Sequence, residues 1–215
     1  MVRHDLQMAE NGAEMYQKFW KRILDIVLSG VAILMLSPLF LTIMIWIRLD
    51  SEGPVFFRQT RVGIHKTRFE ILKFRTMKKD APKNVPTHLF SDSNSWITRS
   101  GRVLRKTSLD ELPQILQIFT GKMSFVGPRP ALFNQYDLIA ERDKYGANDV
   151  LPGLTGWAQV NGRDSLSIAE KARYDGEYAA NISFGMDMKC LWKTVSTVIT
   201  REGYREGGRE RKKDK

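Results

Sequence analysis

Ile26-Val-Leu-Ser-Gly-Val-Ala-Ile-Leu-Met-Leu-Ser37-Pro38-Leu-Phe-Leu-Thr-Ile-Met-Ile-Trp-Ile47 is an uncharged run bracketed by Lys21 and Arg22 on one side and Arg48 on the other. At ~1.5 Å per residue it makes a helix about 33 Å long, enough to cross a bilayer core of about 30 Å. Ser37-Pro38 falls near its middle. A proline inside a helix removes one backbone donor and clashes with the preceding turn, so a kink or break is expected there. Both flanks are basic, and basic flanks collect on the cytoplasmic side. A segment that enters, bends at Ser37-Pro38 and returns to the same face satisfies both facts. A kinked spanning helix satisfies the first alone, and the residues leave these two readings open.

The rest of the chain reads as one soluble part, since 215 residues suffice for a single domain with a core. The expected organisation is a polar arm over 1–17, the membrane helix over 18–50, a catalytic domain over 51–200 and a basic, disordered tail over 201–215. Val55–Val62 and Arg68–Phe74 read as two strands joined by a turn at Gly63 to Lys66. Residues 80–98 read as a loop and Ile97 to Phe119 as mostly helical. Leu132–Tyr145, Leu166–Ala180 and Met186–Thr200 read as further helices. Pro128-Arg129-Pro130 enforces extended backbone. Pro152-Gly153 and Asn161-Gly162 read as turns. The fold class is therefore α+β and mainly helical, with amphipathic helices and a small β-hairpin region.

Net charge is +10 and the isoelectric point about 9.8, which suits a polyanionic partner: nucleic acid, anionic lipid or a phosphorylated substrate. The single cysteine, Cys190, excludes an intrachain disulfide. His4, His65 and His88 lack metal-ligand spacing, so a zinc site is not expected. No phosphate-binding glycine motif of the Walker or dinucleotide type is present.

Ser108-Leu-Asp110-Glu111-Leu-Pro113 is the tract with most chemical content. Ser108 with Glu111 matches a capping box, and acidic residues are favoured in a first helical turn. The same geometry would hold Asp110 ionised, ready to attack phosphorus as aspartyl-phosphate enzymes do. Two carboxylates acting on phosphate also suggest Mg²⁺, with Asp110 and Glu111 as its ligands. Arg99, Arg102 and Arg105 share a helical face, and guanidinium groups suit phosphate.

Several tracts together resemble one family, the bacterial sugar transferases, in the small monotopic form that acts on polyprenol phosphate. They are Lys21-Arg22-Ile-Leu-Asp25, Ser37-Pro38, Phe57-Arg-Gln-Thr-Arg-Val-Gly63, Lys73-Phe-Arg-Thr-Met77, Ser108-Leu-Asp-Glu-Leu-Pro113, Met123-Ser-Phe-Val-Gly-Pro-Arg-Pro130 and Pro152-Gly-Leu-Thr-Gly-Trp-Ala-Gln-Val-Asn-Gly-Arg163. The resemblance runs from about Lys18 to Thr200. It implies a re-entrant helix marked by Lys21, Arg22, Ser37 and Pro38, with a compact catalytic domain on the cytoplasmic face of the bacterial inner membrane. It implies that Asp110 attacks the β-phosphorus of a UDP-sugar, that UMP leaves, and that undecaprenyl phosphate takes the sugar phosphate. Mg²⁺ would sit near Glu111. Lys73 and Asp187 would be further essential polar positions, Arg105 and Arg163 would bind phosphate, and Pro128, Arg129 and Pro130 would shape the nucleotide pocket. The implied partners are UDP-sugar, undecaprenyl phosphate and anionic lipids, not nucleic acid, and a homodimer is left open. The implied setting is exopolysaccharide or lipopolysaccharide assembly. One departure is Leu151, where the family often carries arginine before Pro152-Gly153.

Two other readings use the same residues. A membrane-attached, metal-dependent phosphohydrolase would employ the carboxylates and arginines with water as acceptor. A basic membrane-anchored binding module would need the charged hairpin but not Asp110. Neither accounts for the whole set of tracts.

Overall fold

The computed structural model describes residues 14–81, 93–162 and 165–200. The predicted tail, most of the predicted arm and Arg163 lie outside them. Among the described residues the architecture is mainly helical with a small β-hairpin, as the sequence suggests, and has a second two-stranded sheet that the sequence does not indicate.

A π-helical stretch, Tyr16–Trp20, runs directly into helix α1, Lys21–Asp50. Ser37-Pro38 lies inside helix α1 and does not break it into two helices. Proline cannot donate to the carbonyl four residues earlier, Leu34, and Ser37 fills that gap by donating its Oγ to Leu34 O at 2.8 Å. One turn later Thr42 Oγ1 donates to Pro38 O at 2.9 Å.

Both halves of α1 dock on the same body. Near its start, Arg22 donates to Ile118 O at 2.6 Å and to Phe119 O at 2.8 Å. Asp25 Oδ1 accepts the amide of Phe125 at 3.1 Å. Near its end, Ile43 and Ile47 are buried with Phe74 and Leu104, and Asp50 Oδ2 accepts from Ser100 N at 2.9 Å and Ser100 Oγ at 2.7 Å. The stretch between these docking points is bare: Leu34 and Met35 are each 76% exposed. Polar residues thus help tie down the two ends of the helix, and an uncharged, largely apolar surface broken by Ser37 and Thr42 remains at its centre.

Strands β1 (Phe56–Val62) and β2 (Arg68–Phe74) pair antiparallel, with Phe57 opposite Lys73 and Arg61 opposite Phe69. Residues directly opposite in such a pair share a face, as do alternate residues of one strand. Arg61 and Lys73 therefore lie on one face of the hairpin.

The mostly helical stretch expected over Ile97 to Phe119 is built of short separate pieces, and a further short helix falls within the expected loop over 80–98. Helix α2 is the short Ser93–Trp96, α3 is Arg99–Lys106, a 3₁₀ turn spans Leu109–Glu111, and α4 is Gln114–Phe119. Ser108 separates them in the left-handed region, at φ 57°. Helix α3 is capped by Thr98, whose side chain accepts from Gly101 N.

Strand β3 (Ser124–Val126) pairs in parallel with β4 (Gly153–Thr155), so Pro152-Gly153 opens a strand rather than making a turn. The glycines permit this close pairing: a Cβ on Gly153 would lie 2.1 Å from Gly127 N. Helix α5 is Tyr136–Asp143, α6 is the short Trp157–Val160, α7 is Ile168–Ala180 and α8 is Phe184–Thr200. A capping box between Ser167 and Glu170 starts α7. Val126, Trp157, Tyr178, Ile182 and Cys190 form the core beneath α7 and α8.

Candidate active site

Helix α3 lies against the chain that leaves β2. A Cβ on Gly101 would meet Thr76 O at 2.0 Å, so only glycine allows this approach. At the far end of α3, Arg105 Nε donates to Thr76 Oγ1 at 2.9 Å. The left-handed Ser108 then turns the chain sharply into the 3₁₀ turn that carries Asp110 and Glu111. Leu109 and Leu112, on either side of that pair, pack into the cluster of Ile43, Ile47, Phe74 and Leu104. Apolar burial thus holds the turn in place while the two carboxylates project from it.

Ser108 makes no capping hydrogen bond, so the predicted Ser108–Glu111 capping box does not form. Glu111 binds cations instead. Its Oε1 accepts from Lys73 Nζ at 2.7 Å and from Arg129 Nη2 at 2.6 Å, and its Oε2 faces Arg129 Nη1 at 3.4 Å. Burial alone would raise the Glu111 pKa, but Arg129 and Lys73 outweigh it and hold the carboxyl well below its ordinary range. Burial and Arg129 lower Lys73, while Glu111 and Asp110 oppose that shift.

Asp110 has the opposite surroundings. Among the described residues it has no hydrogen-bond or ion-pair partner. Burial raises its pKa, with Lys73 and Arg105 opposing and the Glu111 charge adding to the rise. The sequence predicts a helix start at Asp110 that would favour ionisation. Here it sits in a 3₁₀ turn separate from α4, whose N-cap is Pro113. Cationic side chains, rather than a helix end, supply what stabilisation the carboxylate has.

Arg129 lies in the Gly127–Pro130 stretch, whose backbone is fixed by two other arginines. Arg142 Nη2 donates to Arg129 O at 3.0 Å, and Arg61 Nη1 donates to Pro130 O at 3.0 Å. Val62 N donates to Ala131 O at 2.9 Å beside them. Arg142 is itself paired with Asp175, through Nε at 2.9 Å and Nη2 at 2.5 Å, with both side chains buried. Pro128, Arg129 and Pro130 also line a partly open pocket with Val62, Gly63 and Pro152.

Lys73, Glu111, Arg129, Asp110 and Arg105 therefore come together as one electrostatic group. Asp187 has other contacts. It accepts from Tyr16 OH at 2.7 Å, Lys21 Nζ at 2.5 Å and Tyr178 OH at 2.7 Å. Tyr178 OH also reaches Val126 O at 2.9 Å, so this buried node ties the start of α1 to strand β3. Arg99 and Arg102 are exposed, and the charge of Arg99 acts on Asp50 rather than on the carboxylate pair. Sequence reasoning did not single out Arg61, Arg142 or Asp175. For Arg61 a signal existed, because hairpin alternation puts it on the Lys73 face. The Arg142–Asp175 pair joins two helices and left no local pattern.

No group of three His, Cys, Asp or Glu residues placed to share a metal occurs among the described residues. Asp110 and Glu111 supply two hard oxygen donors. That set suits a Mg²⁺ completed by phosphate oxygens and water, and would not make a self-sufficient protein cage.

The bacterial sugar transferase family model matches residues 16–201 of this chain. The UDP-glucose:undecaprenyl-phosphate glucose-1-phosphate transferase of Escherichia coli is 41% identical over 183 residues, covering 81% of this chain and 39% of the relative. The UDP-N-acetylgalactosamine-undecaprenyl-phosphate N-acetylgalactosaminephosphotransferase of Aeromonas hydrophila is 37% identical over 193 residues, covering 87% and 45%. The exopolysaccharide production protein ExoY of Rhizobium meliloti is 34% identical over 197 residues, covering 85% and 87%. The chain thus spans less than half of the two named transferases and most of ExoY.

Proposed function

The chain belongs to the bacterial sugar transferase family, and from that premise we propose that it moves a sugar-1-phosphate from a UDP-sugar to undecaprenyl phosphate through a covalent intermediate on Asp110. The observation that carries the assignment is the contrast within the carboxylate pair. Glu111 is occupied by Lys73 and Arg129, whereas Asp110 has no such partner among the described residues. A nucleophile needs an oxygen that no cation already holds, and of the pair Asp110 meets that condition while Glu111 is clamped by Lys73 and Arg129.

In the first step an Asp110 carboxylate oxygen attacks the β-phosphorus. The bond from that phosphorus to the oxygen bridging the two phosphates breaks, and UMP leaves with that oxygen. In the second step a phosphate oxygen of undecaprenyl phosphate attacks the same phosphorus. The bond to Asp110 breaks and the carboxylate is restored, so no net proton or electron is consumed. Arg105 and Lys73 offset the negative charge at Asp110, and Arg129 presents a guanidinium suited to phosphate oxygens. Asp110 and Glu111 are the residues that would hold Mg²⁺, whose chemistry here is neutralisation of phosphate oxygens.

The re-entrant, cytoplasm-facing arrangement belongs to the same proposal. Docking of both halves of α1 on one body supports it, because a spanning helix would carry its ends to opposite sides. A largely apolar centre with polar ends fits a helix that dips into the bilayer and returns. Exposed Phe184 and Trp192 on α8 suit the interface beside it. The two named relatives act on different sugars, and nothing in the site selects one. A panel of UDP-sugars, each with undecaprenyl phosphate, tests the reaction: UMP should be released with one sugar and only slowly with the others. UMP release from none of them would contradict it.

A further inference from the structure

Four cations, Arg61, Lys73, Arg105 and Arg129, act electrostatically on or around two carboxylates, Asp110 and Glu111. Lys73 and Arg129 are ion-paired with Glu111. Arg142, the other arginine of this region, is paired with Asp175. Arg61 differs from Lys73, Arg129 and Arg142, and shares with Arg105 the lack of an ion-paired carboxylate among the described residues. Its Nη1 donates to Pro130 O at 3.0 Å and its Nη2 to Gln59 Oε1 at 2.6 Å, both neutral acceptors. Its Nε is buried and has no partner. Among the described residues, no carboxylate forms an ion pair with it.

Arg61 is half-buried with its Nε out of contact with solvent. A guanidinium placed there without an ion-paired carboxylate is costly, and burial together with Arg129 lowers its pKa to about 10 against the opposing charge of Glu111, which still leaves it charged at neutral pH. An enzyme that always kept this charge uncompensated would lose stability for no gain. The cost is offset if an anionic substrate arrives beside it. The bridging diphosphate of a nucleotide sugar carries two negative charges, matching the excess of cations over carboxylates in this group.

We infer that Arg61 is a positioning residue for the diphosphate: it fixes Arg129 through the Pro130 carbonyl and supplies a half-buried positive charge that the substrate, not an ion-paired carboxylate, neutralises. This rests on the proposed use of a UDP-sugar. Its location follows from the hairpin register, since Arg61 and Lys73 lie on one face, one at each end of the strand pair. Lys73 addresses the carboxylate pair and Arg61 the loop that carries Arg129. One face of one hairpin therefore connects Glu111, through Lys73, to the loop that carries Arg129.

The test is UDP binding by calorimetry to the full chain in nanodiscs, with steady-state rates beside it. Arg61→Gln should weaken UDP binding by about tenfold or more and raise KM for the UDP-sugar. Arg61→Lys keeps the charge but not the two-pronged contact. It should recover most of the UDP affinity while kcat stays about tenfold down, because Arg129 is less well held. If Arg61→Gln fails to fold, the Arg61→Lys split between affinity and kcat carries the test alone. Wild-type UDP affinity in Arg61→Gln would overturn the inference, and so would an Arg61→Lys variant with UDP affinity about tenfold or more below wild type. A wild-type chain that binds no UDP would instead overturn the functional reading beneath it.

Discussion

Asp110 and Glu111 are adjacent in sequence and shifted in opposite directions. Burial dominates at Asp110 and pushes its pKa up, while Arg129 and Lys73 overcome burial at Glu111 and hold it well down. Two carboxylates driven apart in this way take different roles. Glu111 is held toward its anionic form by the cations it binds, and Asp110 is the group whose ionisation burial opposes.

That difference sets a pH dependence. Asp110 must be ionised to attack, and its pKa is raised, so kcat/KM should fall with decreasing pH through a value above the ordinary aspartate range. Arg105 lowers the Asp110 pKa. Arg105→Gln should therefore move the acid limb to higher pH, beyond any loss of rate at the plateau. A pH–rate profile of the two proteins checks this, and an acid limb that stays in place or moves to lower pH would remove Arg105 from the environment of Asp110.

The Arg142–Asp175 pair yields a stability prediction. Removing one member of a buried pair leaves the other charge unpaired, at a cost of about 3–5 kcal/mol. Asp175→Ala should thus unfold at clearly lower temperature. Replacing both members with Arg142→Met and Asp175→Leu should restore much of that stability. It should not restore activity, because the hydrogen bond to Arg129 O is gone. Thermal melts and rates on the three variants separate the two effects.

The hairpin was legible in the sequence because seven-residue strands of alternating character flank a short turn, and its register already places Arg61 with Lys73. The parallel pair β3–β4 was not, since three residues are too few to show a period. The capping pattern at Ser108 marked a boundary within the mostly helical stretch Ile97 to Phe119, but not the left-handed backbone that Ser108, a non-glycine residue, adopts there. Glu111 illustrates the limit for the site. Its spacing from Ser108 fits a capping box, yet the cations that bind it come from 38 residues before and 18 after. Local sequence shows the carboxylates and not the partners that distinguish them.

Topology can be read directly. With both ends of α1 docked on one body, single cysteines at Lys18 and Glu52 should be labelled from the same side of oriented vesicles. The native Cys190 is buried and should stay silent. Pro38→Leu restores the missing backbone donor and should shift the population toward labelling from opposite sides. Opposite-side labelling in the unaltered helix would establish a spanning segment.

Metal dependence follows from the carboxylate pair. EDTA should abolish turnover and Mg²⁺ should restore it, while Ca²⁺, which prefers more ligands at longer distances, should restore less. Full turnover in chelator would leave the Lys73, Arg105 and Arg129 cations as the charge neutralisers.

Intact-mass analysis after incubation with UDP-sugar alone tests the central claim most directly. A double displacement releases UMP before the lipid reacts. One sugar phosphate should therefore appear on the protein, map to the peptide containing Asp110, and disappear when undecaprenyl phosphate is added. Asp110→Asn should show no adduct and no turnover, while Glu111→Gln should form it slowly. The absence of an adduct in the wild-type chain under conditions of full turnover, or an adduct that persists in Asp110→Asn, would contradict the assignment of Asp110 as nucleophile.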